Sequence, residues 1–338
     1  MVAPTYLAVD VMGGDASPHL FVGATLLFLK HYPHARITLF GDQSVIEAAL
    51  TDPKTAQTQS HNRLTIVHCA HIVSPNEKPS SALRHGQQSS MWMSLLALAE
   101  GRAQAVLSPG NTGALMAMAR HLVGTVAGIE RPAICKRMPT VGRCCYVLDL
   151  GANTVATAEQ LEQFALMGAA LVESEGISPA SVGLLNVGEE AHKGTDVLRD
   201  ASKRLKACSR YRYMGYVEGD VLFTGAVNVV VCDGFTGNIA LKASEGLARY
   251  LIADMRRYFS VTNWRKLLGF GVKHLAKGWF KGLNPASYNG ALLIGLKGVV
   301  VKSHGGADSR GFYAALKVAL EQAERKPHSV LAGWIERS

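Results

Sequence analysis

Hydrophobic and polar positions along this chain follow two alternating rhythms. Short apolar runs at 6–10, 36–41, 64–69 and 105–108 read as β-strands. Longer stretches with apolar residues three and four apart follow them, at 18–31, 44–50, 80–100 and 112–126, and read as helices. The alternation returns at 144–150, 182–187 and 227–232, each followed by a helical stretch, and at 298–302 ahead of a helix over 310–324. Strands alternating with helices predict an α/β fold with a mostly parallel sheet covered on both faces. No internal repeat or low-complexity linker interrupts the pattern. Residues 1–338 therefore read as a single large α/β unit, with two closely joined lobes as the other open arrangement.

In such sheets ligands bind outside the carboxyl ends of the strands. The loops expected there are rich in Gly, Asn, Ser and Thr: residues 10–15, 108–113, 149–154, 186–194, 233–238 and 302–308. A glycine loop that feeds a helix start offers free N–H groups and the positive end of a dipole, which suits an anion. Each loop alone reads equally well as a turn. Together they predict an anion-binding cleft. No loop matches the dinucleotide or P-loop fingerprint, so no nucleotide cofactor is indicated. Asp10, Asp15 and Asp233 sit in separate loops without metal-ligand spacing, so turn and network roles are expected and no metal. The six cysteines form no CxxC pair and lie in apolar runs, which reads as reduced thiols in a cytoplasmic protein.

Charge adds one further feature. The net charge is +9, yet there is no acidic residue between Asp254 and Asp308, an interval with nine Lys and Arg. The basic excess is local and points to an anionic partner. No run reaches the ~18 apolar residues of a spanning helix. Within a basic segment at about 255–283, Trp264, Leu268, Val272, Leu275 and Trp279 recur near helical spacing among lysines and arginines. That predicts an interfacial helix on an anionic membrane surface, with an ordinary packed surface helix as the alternative. Gly269, Gly271 and Gly278 weaken the helix. No nucleic-acid fold signature accompanies the patch.

Blocks at 9–15, 108–117, 148–153, 183–188, 229–242 and 284–308 resemble the signatures of the bacterial phosphate acyltransferase family, the acyl-ACP:phosphate transacylases of phospholipid synthesis. The segments VVVCDGFTGNIALK (229–242) and GLKGVVVKSHGGADS (295–309) carry the resemblance most specifically. It implies a Rossmann-like fold related to phosphotransacetylases, a homodimer, and a cytoplasmic enzyme attached peripherally to the membrane. It also implies acyl carrier protein and inorganic phosphate as substrates, and a membrane glycerol-3-phosphate acyltransferase as a consumer of the acyl phosphate. Two departures stand out: Pro109 replaces a small residue, and residues 215–220 lack the family's asparagine and arginine, which puts that block's substrate role in doubt.

The implied reaction needs neither a covalent nucleophile nor a strong base. Phosphate, with a second pKa of ~6–7, is already largely a dianion, and the leaving thiol, pKa ~8.5, departs as a thiolate. The enzyme must orient phosphate and stabilise the oxyanion. Lys193, Asn238 and His304 are the expected catalytic groups: a phosphate-neutralising cation, an orienting amide, and a donor to the oxyanion or sulfur. Gly110, Asn111, Thr112, Gly113, Asn153, Gly234, Thr236, Gly237 and Ser303 are the expected substrate-binding residues. A surface lysine, helix caps and a structural histidine are the plain alternatives. A short-chain phosphotransacetylase and a catalytically silent membrane-bound regulator remain rival functions.

Overall fold

The computed structural model describes residues 3–52, 61–262, 264 and 285–336. The first elements are β1 (Thr5–Asp10), α1 (Pro18–His31), β2 (Ala35–Gly41), α2 (Gln43–Thr51), β3 (Leu64–His68), α3 (Pro79–His85), α4 (Ser90–Ala99), β4 (Ala105–Ser108) and α5 (Thr112–Leu122). Then come β5 (Ala133–Met138), β6 (Cys145–Leu148), α6 (Ala158–Ser174), β7 (Ser181–Leu185), α7 (Asp196–Ala207), β8 (Arg212–Val217), β9 (Val229–Val231) and α8 (Gly234–Ser260). The order closes with β10 (Ala291–Ile294), β11 (Val299–Lys302), α9 (Ser309–Arg325) and α10 (Pro327–Ile335).

Polar loop residues start the helices. Asn111, Asp233 and Asp308 accept a hydrogen bond from the first-turn backbone of α5, α8 and α9. The single helix expected over 80–100 is two. α3 stops at Gly86, where a Cβ would drive into the Ala82 carbonyl, and Gln88 takes φ +71° before Ser89 caps α4.

All eleven strands form one sheet in the order β3-β2-β1-β4-β11-β10-β5-β6-β9-β7-β8. β3, β2, β1, β4 and β11 are mutually parallel, and so are β6, β9, β7 and β8. Between them β10 and β5 make three antiparallel pairings, with β11, with each other and with β6. The sheet is thus mostly parallel, as expected. However, three successive reversals leave its two parallel halves running in opposite directions. β5 and β10 escaped the strand pattern because no crossover helix accompanies them.

The two faces of the sheet differ. On one, a continuous core runs under α1, α6, α9 and α10, with Phe21, Phe28, Phe164 and Phe312 fully buried. On the other, the core is divided. One cluster packs α4 and α5 on Ala8, Val106, Leu293 and Val300, and a second lies under α8 on Ile134, Val147 and Val230. Met116 of α5 touches both. The division marks the space between α5 and α8, over β10 and β5, as the candidate cleft.

Candidate active site

At one edge of the sheet a buried carboxylate organises two loops. Asp10, at the end of β1, accepts from the Met12 and Gly13 amides at 3.0 and 3.2 Å and from the Ser108 hydroxyl at 2.7 Å. Ser108 in turn accepts from the Gly110 amide at 3.1 Å. The loops touch at their glycines, where a Cβ on Gly13 would lie 2.8 Å from the Gly110 Cα. Lys302, ending β11, ties in a third loop by donating to the Pro109 carbonyl at 3.1 Å and to its neighbour Ser303.

The opposite edge repeats the device. Asp149, following β6, accepts from the amides of Gly151, Ala152, Asn153 and Ile134, and from the Asn153 side chain at 3.0 Å. The start of α8 lies directly on this turn. A Cβ on Gly234 would meet the Asn153 carbonyl at 2.6 Å, and one on Gly237 would run into the Asp149 carbonyl. Only glycine permits that approach.

The expected site residues therefore separate. Gly110, Asn111, Thr112, Gly113, Ser303 and His304 lie at the first edge, whereas Asn153, Lys193, Gly234, Thr236, Gly237 and Asn238 lie at the second. The expectation that all the loops open into one strand-end cleft fails because the halves of the sheet run in opposite directions. α8 bridges them. It starts at the second edge with Asn238 beside Gly151, and its next turns carry Lys242 and Glu245. At i, i+4 and i+7 these three form one stripe. Glu245 accepts from Lys136 of β5 at 2.9 Å, a largely buried pair with side chains 14% and 12% exposed. Its other oxygen lies 3.6 Å from Lys242.

Several candidates have their side chains committed. Asn111 caps α5 and donates to the Pro75 and Glu77 carbonyls at 2.8 and 2.9 Å. Asn153 donates to Asp149 and to the Pro132 carbonyl. Thr236 donates to Asp233 at 2.8 Å. Ser303 is fully buried and accepts from Asn289, whose side-chain Oδ1 receives the His304 amide at 3.1 Å. These hydrogen bonds hold the loops in shape. Asn238 is exposed, and Lys193 is half-exposed and paired with Glu190 at 2.7 Å. Trp264 is 61% exposed, while Leu268, Val272, Leu275 and Trp279 lie outside the described residues.

Electrostatics single out the first edge. Burial, reinforced by Lys242, lowers the pKa of Lys302 to about 8 against the opposing pull of Asp15 and Asp10. Burial and then the charges of Lys242 and Lys302 also lower that of His304. The Gly306 amide donates to His304 Nδ1 at 3.1 Å, which assigns the neutral ring's proton to Nε2. Burial works against the Glu245 carboxylate, yet Lys136 and Lys242 hold its pKa below the ordinary value. The Glu190 hydrogen bond raises that of Lys193. Burial pushes the thiols of Cys69, Cys145 and Cys232 upward, so they stay protonated, and all six cysteines are unbridged. Lys136, Lys242, Glu245 and Lys302 were missed as site residues. The signals for Lys302 were its strand end beside Ser303 and His304 and its place in the 295–309 block, and Lys242 closed the 229–242 block.

The chain is similar to known proteins along nearly its whole length. The profile of a family described as "Fatty acid synthesis protein" matches residues 5–330. A phosphate acyltransferase from Saccharophagus degradans is 48% identical over 318 residues, 94% of this chain and 92% of that one. One from Teredinibacter turnerae is 44% identical over 94% of each chain. Among solved structures, a phosphotransacetylase from Streptococcus pyogenes superimposes with a TM-score of 0.61 at 16% identity, covering 95% of this chain and 94% of its own. That likeness concerns the fold: Rossmann-like, and related to the phosphotransacetylases.

Proposed function

Because the chain belongs to the phosphate acyltransferase family, we propose that it moves a long-chain fatty acyl group from acyl carrier protein to inorganic phosphate. In this reading a phosphate oxygen attacks the thioester carbonyl, the C–S bond breaks, and the carrier leaves as a thiolate beside an acyl phosphate. The observation that carries the reading is the His304 tautomer at the cleft. The ring's Nε2–H is a neutral donor placed among cations, suited to an oxyanion or a departing sulfur. Asn238, on the stripe of α8, orients phosphate or the oxyanion, and Lys193 supplies charge from the far end. The buried, protonated thiols disfavour a covalent cysteine route.

The partners follow the same reading. The excess of nine positive charges favours an acidic carrier protein and an anionic bilayer. Phe235, Leu247 and Tyr250 stand about 60% exposed along α8, which supports a homodimer formed on that helix. No helix among the described residues is long and apolar enough to cross a membrane. Peripheral attachment through the basic segment would deliver acyl phosphate to a membrane glycerol-3-phosphate acyltransferase.

A second reading, acyl transfer from short acyl-CoA, draws on the fold shared with phosphotransacetylases. Purified protein incubated with phosphate and either palmitoyl–acyl carrier protein or acetyl-CoA distinguishes them. The expected result is acyl phosphate from the carrier thioester alone, without nucleotide. Product from acetyl-CoA alone would establish the second reading, and product from neither would remove both.

A further inference from the structure

Lys302 is a largely buried ammonium with no ion-pair partner among the described residues. Two of its three N–H bonds go to the Pro109 and Ser303 carbonyls. Asp10 and Asp15 are close enough to be felt but form no ion pair with it. A desolvated cation without a counter-ion is costly unless an anion completes it. Lys242 compounds the problem, because its charge acts on both Lys302 and His304. It is 53% exposed and held on the Glu245 side at 3.6 Å. The sheet itself draws these groups together. Ala291 pairs with Lys302 across β10 and β11, and the β10–β5 register, Leu292 to Cys135, puts Lys136 next in that row. Three lysines thus meet above the central strands with Glu245 and Asp15 as their nearby carboxylates, since Asp10 is occupied by its own loop. Lys302 touches the loop that leads into α5 at the Pro109 carbonyl, and the first amides of that helix add further donors.

We propose that the inorganic phosphate dianion is held between Lys302 at the end of β11 and Lys242 on α8, and that the Lys136–Glu245 pair positions Lys242 for it. The proposal rests on the phosphate acyltransfer reading and assigns the acceptor subsite within it. It also gives the divided core a purpose. The dianion is the charge that lets two repelling lysines on opposite walls of the cleft approach each other. The Asn111, Thr112 and Gly113 amides that follow Gly110 complete the cradle, and His304 Nε2–H is left for the acyl oxygen or the sulfur.

The test measures phosphate binding directly, without an acyl donor, by equilibrium dialysis of radiolabelled inorganic phosphate against the full chain. It compares the wild type with Lys302→Met, Lys242→Met, Glu245→Gln and, as a surface control, Lys203→Met. Each cleft lysine variant should lose about tenfold to a hundredfold in phosphate affinity, the magnitude of a lost charge-assisted hydrogen bond. Glu245→Gln should lose less, and the control nothing. In acyl transfer the same variants should raise the KM for phosphate and leave that for the acyl donor unchanged. Lys242 is half-exposed, so Lys242→Met tests the site even if Lys302→Met unfolds. Wild-type affinity in Lys242→Met, or equal losses in the control, would overturn the proposal. Phosphate binding with the expected losses but no acyl transfer by the wild type would sink the functional reading and leave the anion site standing. Acyl phosphate formation with an unchanged phosphate KM in Lys242→Met would do the reverse.

Discussion

Burial holds the Lys302 ammonium near a pKa of about 8, and its surroundings set two opposite pH dependences. Asp10 and Asp15 favour its charge, and Lys242 and the neighbouring His304 loop face it from the other side. If the protonated form binds phosphate, kcat/KM for phosphate falls as pH rises through about 8, and Lys302→Arg carries that limb to higher pH. Stability runs the other way. The folded pKa lies below the ordinary lysine value of 10.5, so between about 8 and 10.5 the unfolded chain binds more protons and stability rises with pH. Melting and initial rates measured across that window should diverge in the wild type, and Lys302→Met should flatten both. Lys193 gives a simpler expectation. It pairs with Glu190 at an exposed position, so Lys193→Ala should leave the melting temperature unchanged. If Lys193 neutralises charge on the substrate, turnover should fall on the order of 100-fold. Unchanged kinetics would reduce it to a surface lysine.

Among the elements, α8 has the most unusual balance. It is 27 residues long, roughly 40 Å at 1.5 Å per residue, yet its fully buried positions are Gly234 and Gly237. The glycines seat its first turn on the Asp149 loop, and most of its larger apolar residues stay exposed. Gly237→Ala should cost about 1–3 kcal/mol or more, because the added methyl meets backbone that cannot rotate away. The measurable outcome is a lower melting temperature together with weakened acyl transfer, since the Asn238–Lys242 stripe shifts with the helix. Leu247→Glu combined with Tyr250→Glu should leave melting near the wild type and convert a dimer into a monomer in sedimentation equilibrium. Most strands and helices were legible in the sequence because crossover units alternate two clear periods. β8, a partly exposed strand at the end of the sheet, was not, and neither were β5 and β10, being short antiparallel strands that no helix follows. That gap also hid the layout of the site. Strand ends that all seemed to face one cleft belong to two edges, and the residues linking them, Lys136 and Glu245, are ordinary charges in sequence that acquire meaning only as a buried pair.

At the scale of the whole molecule, the proposed attachment to a bilayer rests on the sequence of the basic segment and on exposed Trp264. The chain should pellet with anionic vesicles and stay in solution with neutral ones, and salt should release it, because charge is screened within about 8 Å at physiological ionic strength. Leu268→Glu with Leu275→Glu should abolish pelleting and preserve catalysis, whereas unchanged pelleting would place the contact elsewhere. The path of the chain through the sheet has a consequence for biosynthesis. β4 is complete at Ser108, but its neighbour β11 ends at Lys302. At 5–20 residues per second, β4 waits roughly 10–40 s on the ribosome with its β11-facing edge unpaired. An unpaired edge is a template for misassembly. Ribosome-held chains stopped near residue 250 should therefore remain protease-sensitive in the segment through β4 and engage holdase chaperones. Chains extended beyond residue 336 by a linker that clears the exit tunnel should become resistant in one step, both halves of the sheet closing together.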